Sequence, residues 1–166
     1  MLDTSTWLCG PPVSTGQKQQ FPARFEYNLQ RTYLIDDPKT LVLFSGACSW
    51  GETTDIRPET GATYVCPYDE LPNGIGPYDV VLADPPYNAG FAKEWEADLP
   101  RPKRIARSAC SVLRVGGLFL LLHIIVLPAY KDLGLKRVAL HPVLCGPNNA
   151  IRVLNVLRYT GKRTTQ

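Results

Sequence analysis

Five short runs of apolar or β-branched residues, at 40–44, 53–56, 62–66, 78–83 and 118–122, set the strongest limit on what this chain can fold into. Near-continuous runs of this length suit strands buried on both faces, as in a parallel sheet; a strand with one wet face would alternate apolar and polar residues. A long helical stretch at 89–113 separates the fourth run from the fifth. It is expected to break near Pro100 and Pro102 and to be closed by Gly116-Gly117. A shorter helix is expected at 21–34, where Phe21, Phe25, Leu29 and Tyr33 recur every four residues and Pro22 sits in the first turn. The last third reads as two strands, about 136–144 and 150–159, joined by Gly146-Pro147-Asn148-Asn149, a turn composition between apolar runs. The pattern implies an α/β fold with a mostly parallel sheet and an antiparallel C-terminal hairpin.

The links after the first and second runs are only about six residues each. A crossover between parallel strands ordinarily takes a dozen or more. The helices expected there must be reduced to loops, with Gly46, Gly51 and Gly61 permitting tight turns and the 21–34 helix covering the exposed face. Residues 1–20, rich in Gly, Pro, Ser, Thr and Gln, read as an irregular arm, 21–160 as one domain, and 161–166 as a frayed tail.

Composition narrows the class without naming a function. With 45% hydrophobic and 20% charged residues the chain is an ordinary globular protein, and its net charge of +3 is too small for binding nucleic acid by electrostatics alone. The run at 118–127, interrupted by His123, is too short to cross a bilayer, and no basic segment leads into an apolar stretch at the N-terminus. Cys9, Cys48, Cys66, Cys110 and Cys145 are widely spaced, without a Cys-x-x-Cys pair. A soluble, cytoplasmic protein with reduced thiols and no bound metal is expected. His123 and His141, without a partner at metal or nucleophile-base spacing, read as structural.

The chemistry concentrates in Val80-Val81-Leu82-Ala83-Asp84-Pro85-Pro86-Tyr87, an apolar strand ending in a carboxylate, two prolines and a ring. The carboxyl ends of strands in an open α/β sheet are where ligands bind. An amine on an aromatic base is a poor nucleophile because its lone pair is delocalised. The Asp84 carboxylate and the Pro85 carbonyl could grip its two hydrogens and favour the pyramidal nitrogen of a transition state, while Tyr87 stacks on the base.

In this tetrapeptide the chain resembles the amino methyltransferases that use S-adenosylmethionine, above all the N6-adenine DNA methyltransferases, whose catalytic motif is (Asp/Asn/Ser)-Pro-Pro-(Tyr/Phe/Trp). The resemblance implies a Rossmann-like methyltransferase fold, with Asp84, Pro85, Pro86 and Tyr87 as the catalytic loop and Asp84 also beside the cofactor. Phe44-Ser45-Gly46 is similar to the family's first motif, beside the methionine part of the cofactor, although no second closely spaced glycine follows. Asp55 and Ile56 stand where relatives place a ribose-binding acid and an apolar residue beside the adenine; a solvated aspartate at a strand end is the alternative. Tyr68 falls in the third-strand loop that contacts the adenine, where Pro67 replaces a frequent aspartate. Phe21-Pro22-Ala23-Arg24-Phe25 resembles an element that holds the methionine end through Phe25, and an amphipathic helix start explains it nearly as well.

The implied reaction is methylation of N6 of adenine in DNA, with the base flipped from the duplex. Related targets are N4 of cytosine, the 2-amino group of guanine in RNA, and protein glutamine. Lys93, Arg101, Lys103 and Arg104 are placed to meet phosphates, and equally to be an ordinary solvated helix face. The chain leaves no room for a large target-recognition domain, so specificity must come from short loops, a partner or a homodimer. A cofactor-binding subunit without activity is a different class of reading, against which the intact tetrapeptide argues. A nicotinamide enzyme is disfavoured because no Gly-x-Gly-x-x-Gly follows the first strand.

Overall fold

All the apolar runs join one sheet. A computed structural model describes residues 2–11, 21–94, 98–146 and 151–161. In chain order the elements are β1 (Trp7–Leu8), α1 (Phe25–Thr32), β2 (Thr40–Leu43), β3 (Glu52–Asp55), β4 (Tyr64–Val65), β5 (Tyr78–Ala83), α2 (Ala89–Glu94), α3 (Pro102–Val112), β6 (Leu113–His123), β7 (Leu135–Leu144) and β8 (Ile151–Tyr159). The sheet order is β1-β7-β8-β6-β5-β2-β3-β4. Pairing is parallel from β4 through β3, β2 and β5 to β6, while β8 runs antiparallel to both β6 and β7. The mostly parallel sheet with an antiparallel C-terminal pair is therefore present. The turn at 147–150 lies outside the described residues.

Two apolar layers sandwich this sheet. On one face α3 buries Ile105, Ala106 and Ala109 against Leu41, Leu43, Val81, Phe119 and Leu121. On the other, α1 buries Phe25 and Leu29 against Val42, Leu82, Leu120 and Val156. The short links behave as their length requires. Residues 44–51 connect β2 to β3 without a helix, and 56–63 connect β3 to β4 with only one turn of 3-10 helix at Pro58–Thr60. Gly51, at φ +70, lies where a Cβ would come within 3.0 Å of the Thr40 carbonyl, so the turn needs a glycine. In place of crossover helices, a polar staple ties the amino ends of three strands. The Glu52 carboxylate accepts from the hydroxyls of Tyr64 (2.5 Å) and Tyr78 (2.7 Å), with the Lys39 ammonium 3.6 Å away. These bonds hold the Glu52 carboxyl below its usual range.

Three expectations need correction. The helix at 21–34 begins only at Phe25, because Arg24 takes a left-handed conformation (φ 64), and the last residues, 33–34, fall outside it. The stretch at 89–113 is two helices with residues 98–101 non-helical between them, as its prolines suggest, but Gly116-Gly117 does not close it. The second helix ends at Val112, Leu113 is already extended, and both glycines lie inside β6. A Cβ on Gly117 would sit 2.9 Å from the Asp79 carbonyl, so this glycine permits close approach of β5.

The third correction concerns the arm. Trp7–Leu8 pairs in parallel with Val143 and Leu144, and the Cys9 amide donates to the Leu144 carbonyl at 2.9 Å. Trp7 is buried, stacked on His141 at 4.9 Å and packed on Phe25 at 5.7 Å. His141 is fully buried; its Nδ1 lies 2.8 Å from the Ser5 carbonyl and its Nε2 2.5 Å from the Tyr33 hydroxyl. A carbonyl only accepts, so Nδ1 donates to Ser5, and in the neutral ring Nε2 then accepts from Tyr33. Polar composition hid this strand, since one buried aromatic carries it. Among the described residues no helix is long and apolar enough to cross a membrane. Trp7→Ala is expected to lower the free energy of unfolding by about 3–5 kcal/mol, whereas Leu8→Ala, at an exposed position, changes it by about 0.5 kcal/mol or less. Urea unfolding of both variants checks this, and equal effects would contradict the buried packing of Trp7; residues 12–20 of the expected arm lie outside the described residues.

Candidate functional site

Parallel pairing of β2 with β5 puts Leu43 beside Ala83, so the residues that follow, Phe44 and Asp84, leave the sheet side by side at its carboxyl edge. The chain runs outward in opposite directions from these two strands, to β3 and β4 on one side and to β6 on the other. That is the switch point where open α/β sheets form a ligand crevice.

The Asp84 carboxyl is largely buried, with 16% of its side chain exposed. Its Oδ1 accepts a short bond from the Tyr87 hydroxyl, and Nη1 of Arg152 lies 3.5 Å from its Oδ2. Burial pushes this carboxyl up to about 6, against the opposing pull of the Arg152 guanidinium and the Tyr87 bond. Burial also raises the Tyr87 phenol well above its usual range, so it stays a donor. The Arg152 guanidinium stands over the Tyr87 ring, 4.9 Å from its centre, and His123 meets the same ring edge-on at 5.3 Å. Burial lowers His123, which keeps it neutral at pH 7. Pro85 and Pro86 are both buried and bring no N–H to this environment.

Two members of this cluster were not singled out by motif. His123, read as structural, ends β6 beside the loop. Arg152 is the second residue of β8, and because β8 is antiparallel its first residues lie at the carboxyl edge of the parallel strands. The signal available was a lone cation near the start of an apolar run.

A cavity of about 780 Å³ opens beside the loop, lined among others by Phe44, Asp55, Ile56, Tyr68, Pro86 and Arg101. That volume lies within the range of sites for small molecules and cofactors. The rings of Phe44 and Tyr68 are 5.0 Å apart, and Ile56 is exposed to the opening. Phe44 has φ +57, an uncommon conformation for an aromatic residue and one that clusters at functional sites. The buried Ser45 Oγ has no hydrogen-bond partner among the described residues. Asp55 is differently placed from the expectation of an open acceptor. Its Oδ2 accepts from the Gly46 amide (3.0 Å) and Arg57 Nη2 (3.1 Å), and its Oδ1 from the amide (3.0 Å) and Nε (2.9 Å) of Arg57. Burial pushes its carboxyl up, but these bonds outweigh it and hold the group below its usual value.

Phe25 lies elsewhere: it is wholly buried under α1 against Phe21 and Trp7 and does not line the cavity. Arg101 and Arg104 line the cavity, and Arg104 is paired with Asp69 at 3.0 Å. Lys103 is paired with Asp132 at 2.8 Å, whereas Lys93 is exposed on α2 just after the loop. Among the described residues no group of three or more His, Cys, Asp or Glu is placed to hold a metal.

No family model and no curated protein matches the chain. Solved structures do. TrmN from Thermus thermophilus superposes with a TM-score of 0.56 at 16% identity, over 86% of this chain and 50% of that one. The N-methyltransferase NodS from Bradyrhizobium japonicum WM9 gives 0.58 at 10% identity, over 81% and 94%. The 16S rRNA N2 G1207 methyltransferase RsmC of T. thermophilus, in complex with AdoMet and guanosine, gives 0.52 at 15% identity, over 90% and 45%. The fold is the Rossmann-like methyltransferase fold. This methyltransferase-fold chain spans about half the length of TrmN and of RsmC.

The raised Asp84 carboxyl gives a pH test independent of activity. A carboxyl whose folded value, about 6, exceeds its unfolded 3.8 favours the fold fully below 3.8 and loses that contribution as pH rises through 6. The unfolding free energy of the wild type relative to Asp84→Asn is expected to fall by on the order of 2–3 kcal/mol between pH 4 and pH 7. Denaturant titrations at the two pH values measure it, and a constant difference would contradict the environment described for Asp84.

Proposed function

We propose that this chain transfers a methyl group from S-adenosylmethionine to the exocyclic amine of a nucleic-acid base, with N6 of adenine in DNA as the leading acceptor. The observation that carries the reading is the Asp84-Pro85-Pro86-Tyr87 loop at the end of β5, with Pro86 forming part of the wall of a cofactor-sized cavity. The likeness to NodS, an N-methyltransferase, and to RsmC, whose complex holds AdoMet and guanosine, supports an amine acceptor and this cofactor.

The residues present fit the cofactor. The unpartnered Ser45 Oγ and the turn at Gly46 suit its polar methionine end, and Phe44, Ile56 and Tyr68 offer apolar walls to its adenine. Asp55 lies at the ribose position, where Arg57 already occupies both of its oxygens, so a diol binds there only by sharing them or by displacing the guanidinium. When bound, S-adenosylmethionine supplies an electrophilic methyl group on a cationic sulfur.

The acceptor chemistry belongs to the loop. Each carboxylate oxygen has two acceptor directions; the Tyr87 hydroxyl takes one on Asp84 Oδ1, and the Arg152 guanidinium stands 3.5 Å from Oδ2 as its ion-pair partner. A remaining direction, with the Pro85 carbonyl, accepts the two N–H groups of the amine and holds the lone pair in line with the methyl donor. Tyr87 presents its ring to the base on the side away from Arg152. The base is reached by flipping, and Lys93 is the exposed cation nearest the loop in sequence for a flanking phosphate.

Incubating the protein with labelled S-adenosylmethionine and separate duplex DNA, single-stranded DNA, RNA and protein, then identifying the product by mass spectrometry, tests the reading. Label in adenine of DNA is the expected result. Label at guanine N2 of RNA would move the acceptor within the same chemistry, and label in protein alone would overturn a base acceptor. Asp84→Ala is expected to lose on the order of a hundredfold or more in rate with its fold retained. The wild-type rate should fall about tenfold per pH unit below about 6, as Asp84 becomes protonated and loses acceptor capacity, and level off above it.

A further inference from the structure

We infer that Arg152 is the positioning residue of this site: from β8 it fixes the Asp84 carboxylate and the Tyr87 ring in one arrangement, leaving an Asp84 acceptor direction aimed at the amine. The inference rests on the methyl-transfer reading and adds to it a residue outside the tetrapeptide and about 65 positions along the chain from it.

The geometry carries it. The same guanidinium lies 3.5 Å from Asp84 Oδ2 and 4.9 Å from the centre of the Tyr87 ring, while the Tyr87 hydroxyl donates to the other Asp84 oxygen. The three groups thus close a ring of contacts in which none can rotate without breaking one with each neighbour. A planar cation can meet a carboxylate along its edge and a ring with its face, which an ammonium cannot do. Arg152 has only 23% of its side chain exposed, and its strand neighbours Leu154 and Val156 belong to the apolar core on the α1 side. Burying a guanidinium there stabilises little by itself, since desolvation offsets much of the attraction in a buried pair. A role in holding geometry accounts for its placement better than a role in stability.

The charged and titratable groups facing Asp84 come from three further parts of the fold. Tyr87 comes from its own loop, Arg152 from β8, Cys145 from the end of β7, and neutral His123 from β6 behind Tyr87. Of these Arg152 is the cation, so its removal withdraws the positive charge that favours ionised Asp84.

The test compares Arg152→Met, Arg152→Lys and Asp84→Ala with the wild type, using the full chain. Folding is checked by circular dichroism, the Asp84 carboxyl by ¹³C NMR titration, and kcat, acceptor KM and cofactor KM across pH on the acceptor found active. In Arg152→Met the acid limb of kcat and the Asp84 titration should both move from about 6 to about 7 or higher, with kcat on the alkaline plateau down about tenfold or more and cofactor KM within about twofold. Arg152→Lys should restore the acid limb but not the plateau kcat, because charge returns without the planar contact. A folded Arg152→Met with a wild-type acid limb, titration and plateau overturns the positioning role. If Arg152→Met fails to fold, Arg152→Lys decides: a wild-type plateau in it overturns the proposal and a lowered one supports it. Asp84→Ala separates the two failures. Activity retained there sinks the catalytic reading itself, whereas an inactive Asp84→Ala beside a normal Arg152→Met sinks only the role given to Arg152.

Discussion

The pairing of β2 with β5 in register, Leu43 against Ala83, is the constraint on which the rest of the site depends. It makes two chain segments with β3 and β4 between them in the chain leave at adjacent points of one edge. Phe44-Ser45-Gly46 turns away on one side and Asp84-Pro85-Pro86-Tyr87 on the other. A slip of one residue would reverse the faces of all side chains in a strand, burying Asp84 under α3 and lifting Val81 out of its core. The apolar stripes on both faces of β5 penalise such a slip, so the hydrophobic core also sets the aim of the Asp84-Pro85-Pro86-Tyr87 loop.

The economy of the first half of the sheet follows from links too short for helices. Parallel strands joined by residues 44–51 and 56–63 leave one face short of cover, and α1 supplies it by burying Phe25 and Leu29. At the opposite edge from the site, Glu52 gathers the hydroxyls of Tyr64 and Tyr78, and those bonds join three strand starts. Both devices leave the carboxyl edge open, where the cavity forms. The same turn that lacks a helix carries Phe44 at positive φ and the Ser45 hydroxyl, without a partner among the described residues, so the abbreviation and the candidate cofactor site share residues.

On the far side of the loop the antiparallel strand does what a parallel one could not. Because β8 enters the sheet at its carboxyl edge, its first residues, and not its last, stand beside Asp84. Arg152 thereby reaches the carboxylate just past the end of β5 across β6, and Asn155, three residues later, holds the segment after β6. It donates to the carbonyls of Leu121 (3.3 Å) and Ile125 (3.1 Å) and accepts from the Leu127 amide (2.8 Å). Burial and charge then oppose each other at Asp84, and burial wins, pushing the carboxyl up to about 6.

The sequence by itself determined the layers of this fold, because continuous apolar runs such as 78–83 can be satisfied only between two covering layers, and it located the Asp84-Pro85-Pro86-Tyr87 loop at the end of a strand, because a strand end is written in contiguous residues. Strand β5 falls where its apolar run predicts, with Asp84 directly after its last residue. Other features depend on contacts between residues far apart in the chain, to which no local pattern is tied. Trp7 became a strand residue through His141 and Phe25, Phe25 became core and not cavity, and Asp55 was taken up by Arg57 and the Gly46 amide. Arg152 is the clearest case: a cation in an apolar strand has no meaning in the sequence until antiparallel pairing decides which end of that strand stands beside Asp84.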